Sequence, residues 1–563
     1  MKIIALAFAL LACPPVASPA QQADVSAALI KNLYAAKRWN EIVRLIPPEP
    51  QDSPDIDYYR GMALAKLKRW AEARKTFLRG WRKAPKDKRF PSELAGIAFS
   101  QKKYGAAKAY LKRVLRVDPH DTYAINFLGT IYELEGNLPA ALKIWNRIHR
   151  PRIRQIRIDP QPRVNPALLD QAFAFSPDTT LEVNQLLTTQ ARIAALGIFN
   201  RPRFDLQPLP DGRFDAQFVP NERNGWGDST LQGFSSLLRG VPYDTIYPTF
   251  FNLRRSAMNL TSLFRWDPQK ERVYAALTSP LEGSARWRYR VYLDGRRENW
   301  NLTGTFFGSA TPVSNMQMEK IEGGAEIESI SSGRLSWQVG LDLSGRSFRR
   351  AHWTDPSAAA FFTNGFALEY RAGANYLLVN APEQRFMLDS TAAAQAGKLF
   401  TGSSNPFLQG EAGLRARWYP QAQGNDYEMT ARLRGGKTWG TPPFDDLFML
   451  GLERDNNLWL RGTIGTMNGR KGSAPLGRDY VLFNWDDFKT LFENGIVTLK
   501  LGPFLDSGKI TDPSNDFGSR RWLVDTGLEL KARVLGGATV ELFFGKDLRT
   551  GRNAFYGLTE PLY

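Results

Sequence analysis

The side chains that could carry out chemistry are few in this chain, and they are scattered. The three histidines are His120, His149 and His352. No His-Glu-x-x-His, Gly-x-Ser-x-Gly or phosphate-binding loop pattern accompanies them. The adjacent carboxylates Asp445-Asp446 and Asp486-Asp487 would point to opposite faces of a strand, so neither pair predicts an acid–base dyad. We place both pairs in loops or at strand ends. The sequence therefore predicts neither an enzyme nor a bound cofactor.

The only cysteine, Cys13, lies in a segment typical of an export signal. A basic residue precedes the apolar stretch 3–12, which predicts a bacterial secretory signal over residues 1–20. Ser18-Pro19-Ala20 would suit ordinary cleavage, whereas Leu10-Leu11-Ala12-Cys13 resembles the site at which a lipoprotein is acylated. Of these two we favour ordinary cleavage. A single cysteine excludes a disulfide framework and a cysteine-based metal site.

The 563 residues suffice for several domains, and their charge is distributed unevenly. The chain has a formal net charge of +18, of which residues 1–150 contribute +13 and the remainder +5. This asymmetry suggests that the first part meets an anionic surface or an acidic partner. Because the chain is exported, we expect lipid headgroups or an acidic polypeptide there, and no nucleic acid.

Residues 23–150 contain a repeat with a period of 34 residues. Small residues recur at Gly61, Ala95 and Gly129, and again at Ala73, Ala107 and Ala141, and large apolar residues recur at Phe77, Leu111 and Trp145. This spacing resembles the tetratricopeptide repeat, in which small residues let paired helices approach and a large residue fills the groove between them. We expect three good repeats and one degenerate repeat. They would form either a surface that docks a protein or a rigid spacer.

Residues 152–222 read as one small α/β module with the order β-α-α-β-β. A turn at Pro210-Asp211-Gly212 with alternating residues on both sides predicts a hairpin. Before it, the segment Leu196-Gly197-Ile198-Phe199 resembles a polypeptide-transport-associated (POTRA) domain, in which a helix ends on glycine ahead of the hairpin. The resemblance implies a platform that receives a client strand at a sheet edge. A plain linker domain is the alternative.

From residue 223 onward the hydrophobic pattern has a period of two. Apolar and polar residues alternate over residues 287–294 and again over 335–344. In a membrane barrel the polar face of such strands lines the lumen. At about 20 residues per strand and loop, residues 223–563 would supply about 16 transmembrane strands. We expect a closed antiparallel barrel, because an unpaired sheet edge is costly in lipid.

Motifs in the last third of the chain follow the order typical of one family. They are Phe448-Met449-Leu450-Gly451, Leu460-Arg461-Gly462, the strand 480–484, Phe504-Leu505-Asp506-Ser507-Gly508 and a hairpin around Gly545 and Gly551. Together they resemble the bacterial surface antigen superfamily of outer-membrane barrels, which includes the outer-membrane assembly factor and the two-partner secretion transporters. The resemblance implies a barrel in the outer membrane of a Gram-negative-type bacterium, with the preceding domains in the periplasm.

The same resemblance implies a loop that folds back into the lumen and is fastened to the wall. Arg461 would lie at its tip and pair with Asp506, with Phe504 and Gly508 beside that carboxylate. Gly462 would let the tip turn tightly. Alternatively, Arg461 and Asp506 are two unrelated charges in the lumen.

Three residues depart from the family pattern. Leu460 replaces the usual valine, and Thr463 stands where an aromatic residue is usual, which should weaken the packing of the tip. Pro561 cannot donate a hydrogen bond to a neighbouring strand, so it would suit either a weakly paired seam or a frayed chain end.

The predicted architecture is multidomain: an export signal (1–20), an all-α tetratricopeptide solenoid (23–150), a POTRA-like domain (152–222) and an outer-membrane β-barrel (223–563). By resemblance, the protein would insert a client polypeptide into the lipid bilayer of the outer membrane or translocate it. The periplasmic repeats would recruit the client or an accessory protein. The alternatives are an anchor that presents a protein-binding scaffold, and a passive pore.

Overall fold

A computed structural model describes residues 27–47, 53–302, 315–350, 362–400, 406–513, 517–519, 521–534 and 538–560. The predicted export signal, Cys13 and Pro561 lie outside these residues. The chain divides into two compact units, residues 1–128 and 129–563. Within the described ranges, no helix has both the length and the apolar character needed to cross a membrane.

The first 145 residues are helical where they are described. The helices are α1 (Ala27–Ala35), α2 (Trp39–Leu45), α3 (Pro54–Lys66), α4 (Trp70–Lys83), α5 (Arg89–Ser100), α6 (Tyr104–Val117), α7 (Thr122–Leu134) and α8 (Leu138–Trp145). This order confirms the predicted helical repeats, which continue through α8 into the second unit.

The predicted repeat residues are buried between helices. In the first unit Ala73, Phe77, Ala95, Ala107 and Leu111 have no solvent exposure. A Cβ atom on Gly61 would lie 2.5 Å from the ring of Phe77, so a larger residue could not stand between α3 and α4.

The same arrangement recurs in the second unit. A Cβ atom on Gly129 of α7 would overlap the ring of Trp145 of α8, and Ala141 of α8 is fully buried. In these two repeats the glycine and the large ring are therefore matched partners, whereas the repeat between them has the smaller pair Ala95 and Leu111.

A small α/β module follows. Its elements are β1 (Ile153–Ile158), α9 (Pro166–Ala172), α10 (Val183–Leu196), β2 (Arg203–Pro208) and β3 (Phe214–Val219). The sheet order is β1-β3-β2, with β1 parallel and β2 antiparallel to β3. Helix α10 ends at Gly197, whose φ of +71° is the left-handed conformation that favours glycine at a helix end. The likeness of this module to a POTRA domain stays a prediction.

A nine-residue helix and a large antiparallel sheet complete the chain. The helix is α11 (Thr230–Leu238). The strands are β4 (Thr245–Ile246), β5 (Thr249–Leu253), β6 (Met258–Asp267), β7 (Lys270–Pro280), β8 (Trp287–Trp300), β9 (Met316–Ile330), β10 (Leu335–Arg349), β11 (Gly365–Ala381), β12 (Phe386–Phe400), β13 (Phe407–Trp418), β14 (Tyr427–Gly440), β15 (Phe448–Met449), β16 (Thr466–Met467), β17 (Arg470–Lys471), β18 (Leu476–Gly477), β19 (Asp479–Glu493), β20 (Val497–Thr511), β21 (Leu523–Val534), β22 (Ala538–Asp547) and β23 (Asn553–Glu560).

The long strands form a ring in which each is antiparallel to the next. Fourteen strands of the described chain have 8 to 17 residues, and β14 pairs directly with β19 across the intervening loop. The short strands β4 and β5 both pair with β6 and lie one after the other along it. The antiparallel barrel sheet predicted from the alternating pattern is therefore confirmed.

The expectation of a fully paired ring is wrong at one place. The ring order sets β23 beside β4, yet the described residues of these two strands share no register, and β23 pairs only with β22. We call this place the seam.

The strands carry their apolar side chains on the outside. In β10, Val339, Leu341 and Leu343 are exposed. The alternating polar residues Asp342 and Ser344 are each only 3% exposed. A sheet of a water-soluble protein would instead bury its apolar face and expose its polar face. The interior of this ring is therefore polar and its exterior is apolar.

The module packs against the end of the barrel that has the short turns. The N–H of Asn165 donates to the carbonyl of Arg255 at 2.8 Å, and the N–H of Gly333 donates to the Thr188 hydroxyl at 2.9 Å. Asn137, just before α8, and Lys143 within α8 reach another short turn, where Lys143 pairs with Glu383 at 2.8 Å. These contacts fix the module at the mouth of the lumen.

Candidate functional site

A long loop between β14 and β19 lies inside the barrel. Residues 441–478 leave and re-enter the wall at neighbouring strands, since Lys437 pairs with Asp479. Leu450 and Leu460 in this loop have no solvent exposure. The loop contacts strands on opposite sides of the ring through three groups of charged residues. We call residues 441–478 the lumen loop.

Arg461 of the lumen loop is held by carboxylates of β19, β20 and β21. Its Nε and Nη2 donate to the two oxygens of Asp506 at 2.9 and 2.7 Å, and its backbone N–H donates to the same carboxylate at 2.9 Å. Its Nη1 donates to Glu529 at 2.6 Å and also to Asp486. The guanidinium carbon lies 4.1 Å from the centre of the Phe504 ring. The bidentate pair fixes the direction of the side chain as well as its position. We call Arg461 and these three carboxylates the Arg461 anchor.

The residues after Arg461 press against the wall. The N–H of Gly462 donates to Asp525 at 2.8 Å, and the Thr463 hydroxyl donates to the same carboxylate at 3.1 Å. Gly462 lies in a turn that the N–H of Thr463 closes by donating to the carbonyl of Leu460 at 3.0 Å, and its φ is not positive. A Cβ atom there would lie 2.7 Å from the backbone nitrogen of Asp547, so close approach to β22 is what requires glycine.

Two glycines of the wall make room for the lumen loop. A Cβ atom on Gly545 would lie 2.7 Å from the carbonyl carbon of Arg461. A Cβ atom on Gly508 would lie 3.1 Å from a methyl group of Leu450. The predicted residues Phe504 and Gly508 therefore stand on the same wall as Asp506, where the structure brings them against the loop.

A second charged group holds the loop to another part of the ring, on the far side of the seam. Lys270 of β7 donates to Glu453 at 2.9 Å, and both are buried. Asp455 accepts hydrogen bonds from Arg265 of β6 at 2.7 Å and from Arg272 of β7 at 2.8 Å. We call these residues the Glu453/Asp455 anchor. Lys471 of the loop lies 3.6 and 3.5 Å from the same two carboxylates, and Arg272 also pairs with Asp294 of β8 at 2.7 Å, so each charge of the group has a partner of opposite sign.

A third group holds the start of the loop. Asp445 pairs with Lys320 of β9 at 2.9 Å and with Arg346 of β10 at 3.0 Å. The carbonyl of the adjacent Asp446 accepts a hydrogen bond from Gln409 of β13 at 3.0 Å. The placement of Asp445-Asp446 in a loop agrees with the sequence expectation. Asp486 and Asp487, in contrast, lie in the middle of β19 and not at a strand end.

An apolar cluster lies at the end of the lumen where the long connections begin. It combines residues of the lumen loop with residues at the ends of β8, β9 and β10. Its members are Trp300, Leu302, Met316, Met318, Phe348, Phe362, Phe444, Leu447, Met449, Ala474, Leu476 and Phe517. These side chains are packed against one another, so apolar contacts as well as ion pairs hold the lumen loop to the wall at this end.

The three groups of charged residues are suited to holding the loop. Removing one partner of a buried ion pair typically costs about 3–5 kcal/mol, since the remaining charge stays desolvated. Among the described residues, no group of three or more histidine, cysteine or carboxylate side chains is arranged to hold a metal ion.

A cavity of about 720 Å³ adjoins the Arg461 anchor. Its walls carry Arg432, Arg434, Arg454 and Lys531 besides the carboxylates of the anchors. The cavity also reaches Leu558 at the seam. It is therefore a polar compartment of the lumen that extends from the loop tip to the place where the ring lacks a ladder.

The sequence pointed to some of these residues and missed others. The motif order singled out Arg461 and Asp506, which the structure brings together. Glu529 and Glu453 were not singled out, and Asp486 was considered only as half of an adjacent pair, because alternation assigns a residue to the lumen but does not tell which strands meet across it. One available signal was the run of three consecutive charged residues at 453–455 in the loop.

Comparisons with known proteins give similarities for both parts of the chain. A tetratricopeptide repeat family matches residues 93–154. No curated protein sequence matches the chain. Among solved structures, BamA from Haemophilus ducreyi lacking POTRA domains 1–3 has 12% identity and a TM-score of 0.42, with 73% of this chain and 84% of that chain covered.

Two further solved structures are similar to the same extent. CdiB from Escherichia coli has 11% identity and a TM-score of 0.48, with 73% of this chain and 74% of that chain covered. CdiB from Acinetobacter baumannii has 12% identity and a TM-score of 0.43, with the same coverage.

Proposed function

We propose that the chain is an outer-membrane protein that inserts or translocates polypeptides, without an enzymatic step, a nucleotide or a cofactor. The observation that carries the proposal is a lumen loop fastened by buried ion pairs inside a barrel whose exterior is apolar. A protein that served only as an anchor would need no such device, because the pairs hold one loop at the cost of desolvating many charges.

The exterior of the barrel supports a membrane location. Leu293, Ile321 and Phe366 are 67%, 73% and 74% exposed on outward faces of the strands. Aromatic residues stand near strand ends, as at Trp418 of β13 and Trp439 of β14, which are also exposed. Aromatic girdles at both ends of an apolar band are typical of transmembrane barrels.

The interior supports a gated device over a passive pore. The apolar cluster packs the lumen loop against the wall near one end of the lumen, and the loop fills part of the interior. A passive pore requires a permanent aqueous path, whereas a transporter opens only when its client is present. We propose that movement of the lumen loop or opening of the seam admits the client.

The domains before the barrel support recruitment of a client. Strand β2 forms an edge of the module sheet, and in the described chain it pairs only with β3. Such an edge can receive an extended segment by adding a strand. The contacts of the module with the short turns of the barrel would hand that segment to the lumen. We propose that the repeats bind the client or an accessory protein.

Client folding would supply the driving force. Backbone polar groups of an unfolded barrel are unsatisfied in lipid until its own sheet closes. The transporter then needs only to lower the barrier to insertion, so no nucleotide is required.

Vesicles that contain the full-length protein test the proposal. An unfolded outer-membrane barrel polypeptide is added outside, followed by protease. We expect a protected barrel fragment if the client is inserted and full protection if it is translocated. Protection equal to that in empty vesicles would favour the anchor. Steady large conductance that is indifferent to deletion of residues 152–222 would favour the pore.

A further inference from the structure

The segment before β4 runs along the edge of β4 and β5 that faces away from β6. We refer to β4 and β5 together as the first strand of the barrel. Gly225 and Phe251 of β5 exchange two backbone hydrogen bonds, at 2.9 and 2.7 Å. Further along, the N–H of Tyr247 donates to the carbonyl of Leu237, at the end of α11, at 3.1 Å. The chain from Gly225 to Leu237 is therefore antiparallel to the first strand, in the position that another strand would occupy.

Helix α11 has the length of the strand segment that it replaces. Four residue steps separate Phe251 from Tyr247, which in a strand span about 13 Å. The nine residues of α11 span about 13 Å at the rise of a helix. The helix thus lies beside β4 and β5 over the stretch where a ladder would otherwise form.

The residues after α11 reach the other side of the seam. A Cβ atom on Gly557 of β23 would lie 2.8 Å from the hydroxyl oxygen of Tyr243. Tyr243 and Tyr247 line the same cavity as Leu558 of β23. The segment that carries α11 therefore bridges β23 and the first strand. The described residues of these two strands share no register with each other.

The outward face of α11 is apolar. Leu231, Phe234 and Leu238 are 66%, 58% and 47% exposed, and their spacing of three and four residues places them on one face. Gln232 and Gly233 on the other side are buried. A helix that faced water would show the opposite pattern.

This face is continuous with the apolar exterior of the barrel. Ile246 of β4 pairs with Phe264 of β6, and Phe264 and Trp266 are 42% and 51% exposed. On β23, Phe555 is 60% exposed. The ligand that suits a belt without polar groups is the acyl chain of a phospholipid.

The lumen loop touches the same segment from inside. Nη1 of Arg454 donates to the carbonyl of Tyr243 at 3.2 Å, and its guanidinium carbon lies 4.3 Å from the centre of the Tyr243 ring. Arg454 stands between Glu453 and Asp455, the two carboxylates of the second anchor. The lumen loop therefore contacts the short segment that joins α11 to β4.

We propose that α11 is a wedge that closes the seam, with Leu231, Phe234 and Leu238 packed on lipid acyl chains and with Arg454 as its latch to the lumen loop. Few backbone hydrogen bonds hold the wedge to the sheet, so moving it is easier than separating a full strand pair. The inference rests on the proposed membrane location but not on polypeptide transport.

Spin labels on single cysteines test the wedge in vesicles that contain the full chain, in a Cys13→Ser background. Labels are placed on the outward face through Leu231→Cys, Phe234→Cys and Leu238→Cys. We expect high accessibility to oxygen and low accessibility to a water-soluble nickel chelate, as for Phe264→Cys on β6. Gly495→Cys in an exposed turn gives the aqueous reference and should differ several-fold in the ratio of the two accessibilities.

The controls separate the possible failures. If Phe264→Cys shows the lipid pattern and the three labels on α11 show the aqueous pattern, the wedge is overturned and the membrane location stands. If Phe264→Cys is also aqueous, the membrane location itself fails.

A second measurement tests the latch. In an Arg454→Met background the label at Phe234→Cys should gain mobility, whereas Arg415→Met, which removes an ion pair of the wall on β13, should leave it unchanged. Unchanged mobility with Arg454→Met would overturn the latch.

Discussion

Replacing Arg461 with methionine should release the tip of the lumen loop. Methionine keeps an unbranched apolar stem but leaves Asp506 and Glu529, which are at most 1% exposed, without their guanidinium. Loss of one partner of a buried pair costs about 3–5 kcal/mol, which is a hundred-fold to several-thousand-fold change in the equilibrium between bound and released tip. The Glu453/Asp455 anchor is untouched, so we expect release of the tip and not of the whole loop.

Cysteine labelling measures this release. Leu460 has no solvent exposure, so in a Cys13→Ser background the thiol of Leu460→Cys should react with a maleimide only when the tip is free. We expect the rate to rise by about two to three orders of magnitude with Arg461→Met, if the tip exchanges rapidly. Arg415→Met serves as the matched control, because its partner Asp389 lies at 3.3 Å and both are partly exposed, where such pairs contribute about 1 kcal/mol or less. Equal labelling rates in the two variants would refute the assignment of Arg461 as an anchor.

Three further predictions concern the wall, the second anchor and the repeats. Gly545→Ala should push the tip off β22 and raise labelling of Leu460→Cys, whereas Gly495→Ala, which meets no atom within 4 Å, should not. Asp455→Asn should make the loop accessible to protease, because two arginines lose a carboxylate that they share; an unchanged digestion pattern would contradict this. Burial raises the pKa of the Glu133 carboxyl to about 7 from its ordinary 4.5. The folded protein therefore favours the protonated carboxyl, and the stability that this group contributes is complete below about pH 4.5 and is lost as the pH rises through 7. In Glu133→Gln, hydrogen exchange of α7 should match the unchanged protein at pH 4.5 and be slower than it at pH 8; the same difference at both values would contradict the assignment.

The repeats and the barrel strands could be predicted because their signals are local. Gly61 with Phe77, and Gly129 with Trp145, keep a fixed spacing since each glycine packs against the ring of its own repeat. The alternation in β10 likewise follows from a strand with one face in the lumen. Such patterns can be recognised in the sequence because each residue packs against neighbours that are close along the chain.

The charged anchors could be predicted only in part. Arg461 and Asp506 were found through the order of motifs, but Glu529 is 68 residues from Arg461 and reaches it only through the register of β20 with β21. Helix α11 was overlooked although Leu231, Phe234 and Leu238 have helical spacing, because residues 223–563 were all assigned to strands and loops. A short helix within a barrel pattern competes poorly with the period of two around it.

The central claim is that the anchored lumen loop serves polypeptide transport. The most direct measurement compares Arg461→Met with Arg415→Met in the vesicle assay, at equal amounts of folded barrel judged by resistance to unfolding in detergent. The account predicts that protection of the added barrel polypeptide becomes about ten-fold slower or worse with Arg461→Met, because the competent state is less populated, and is unchanged with Arg415→Met. Equal rates for the two variants would contradict the account.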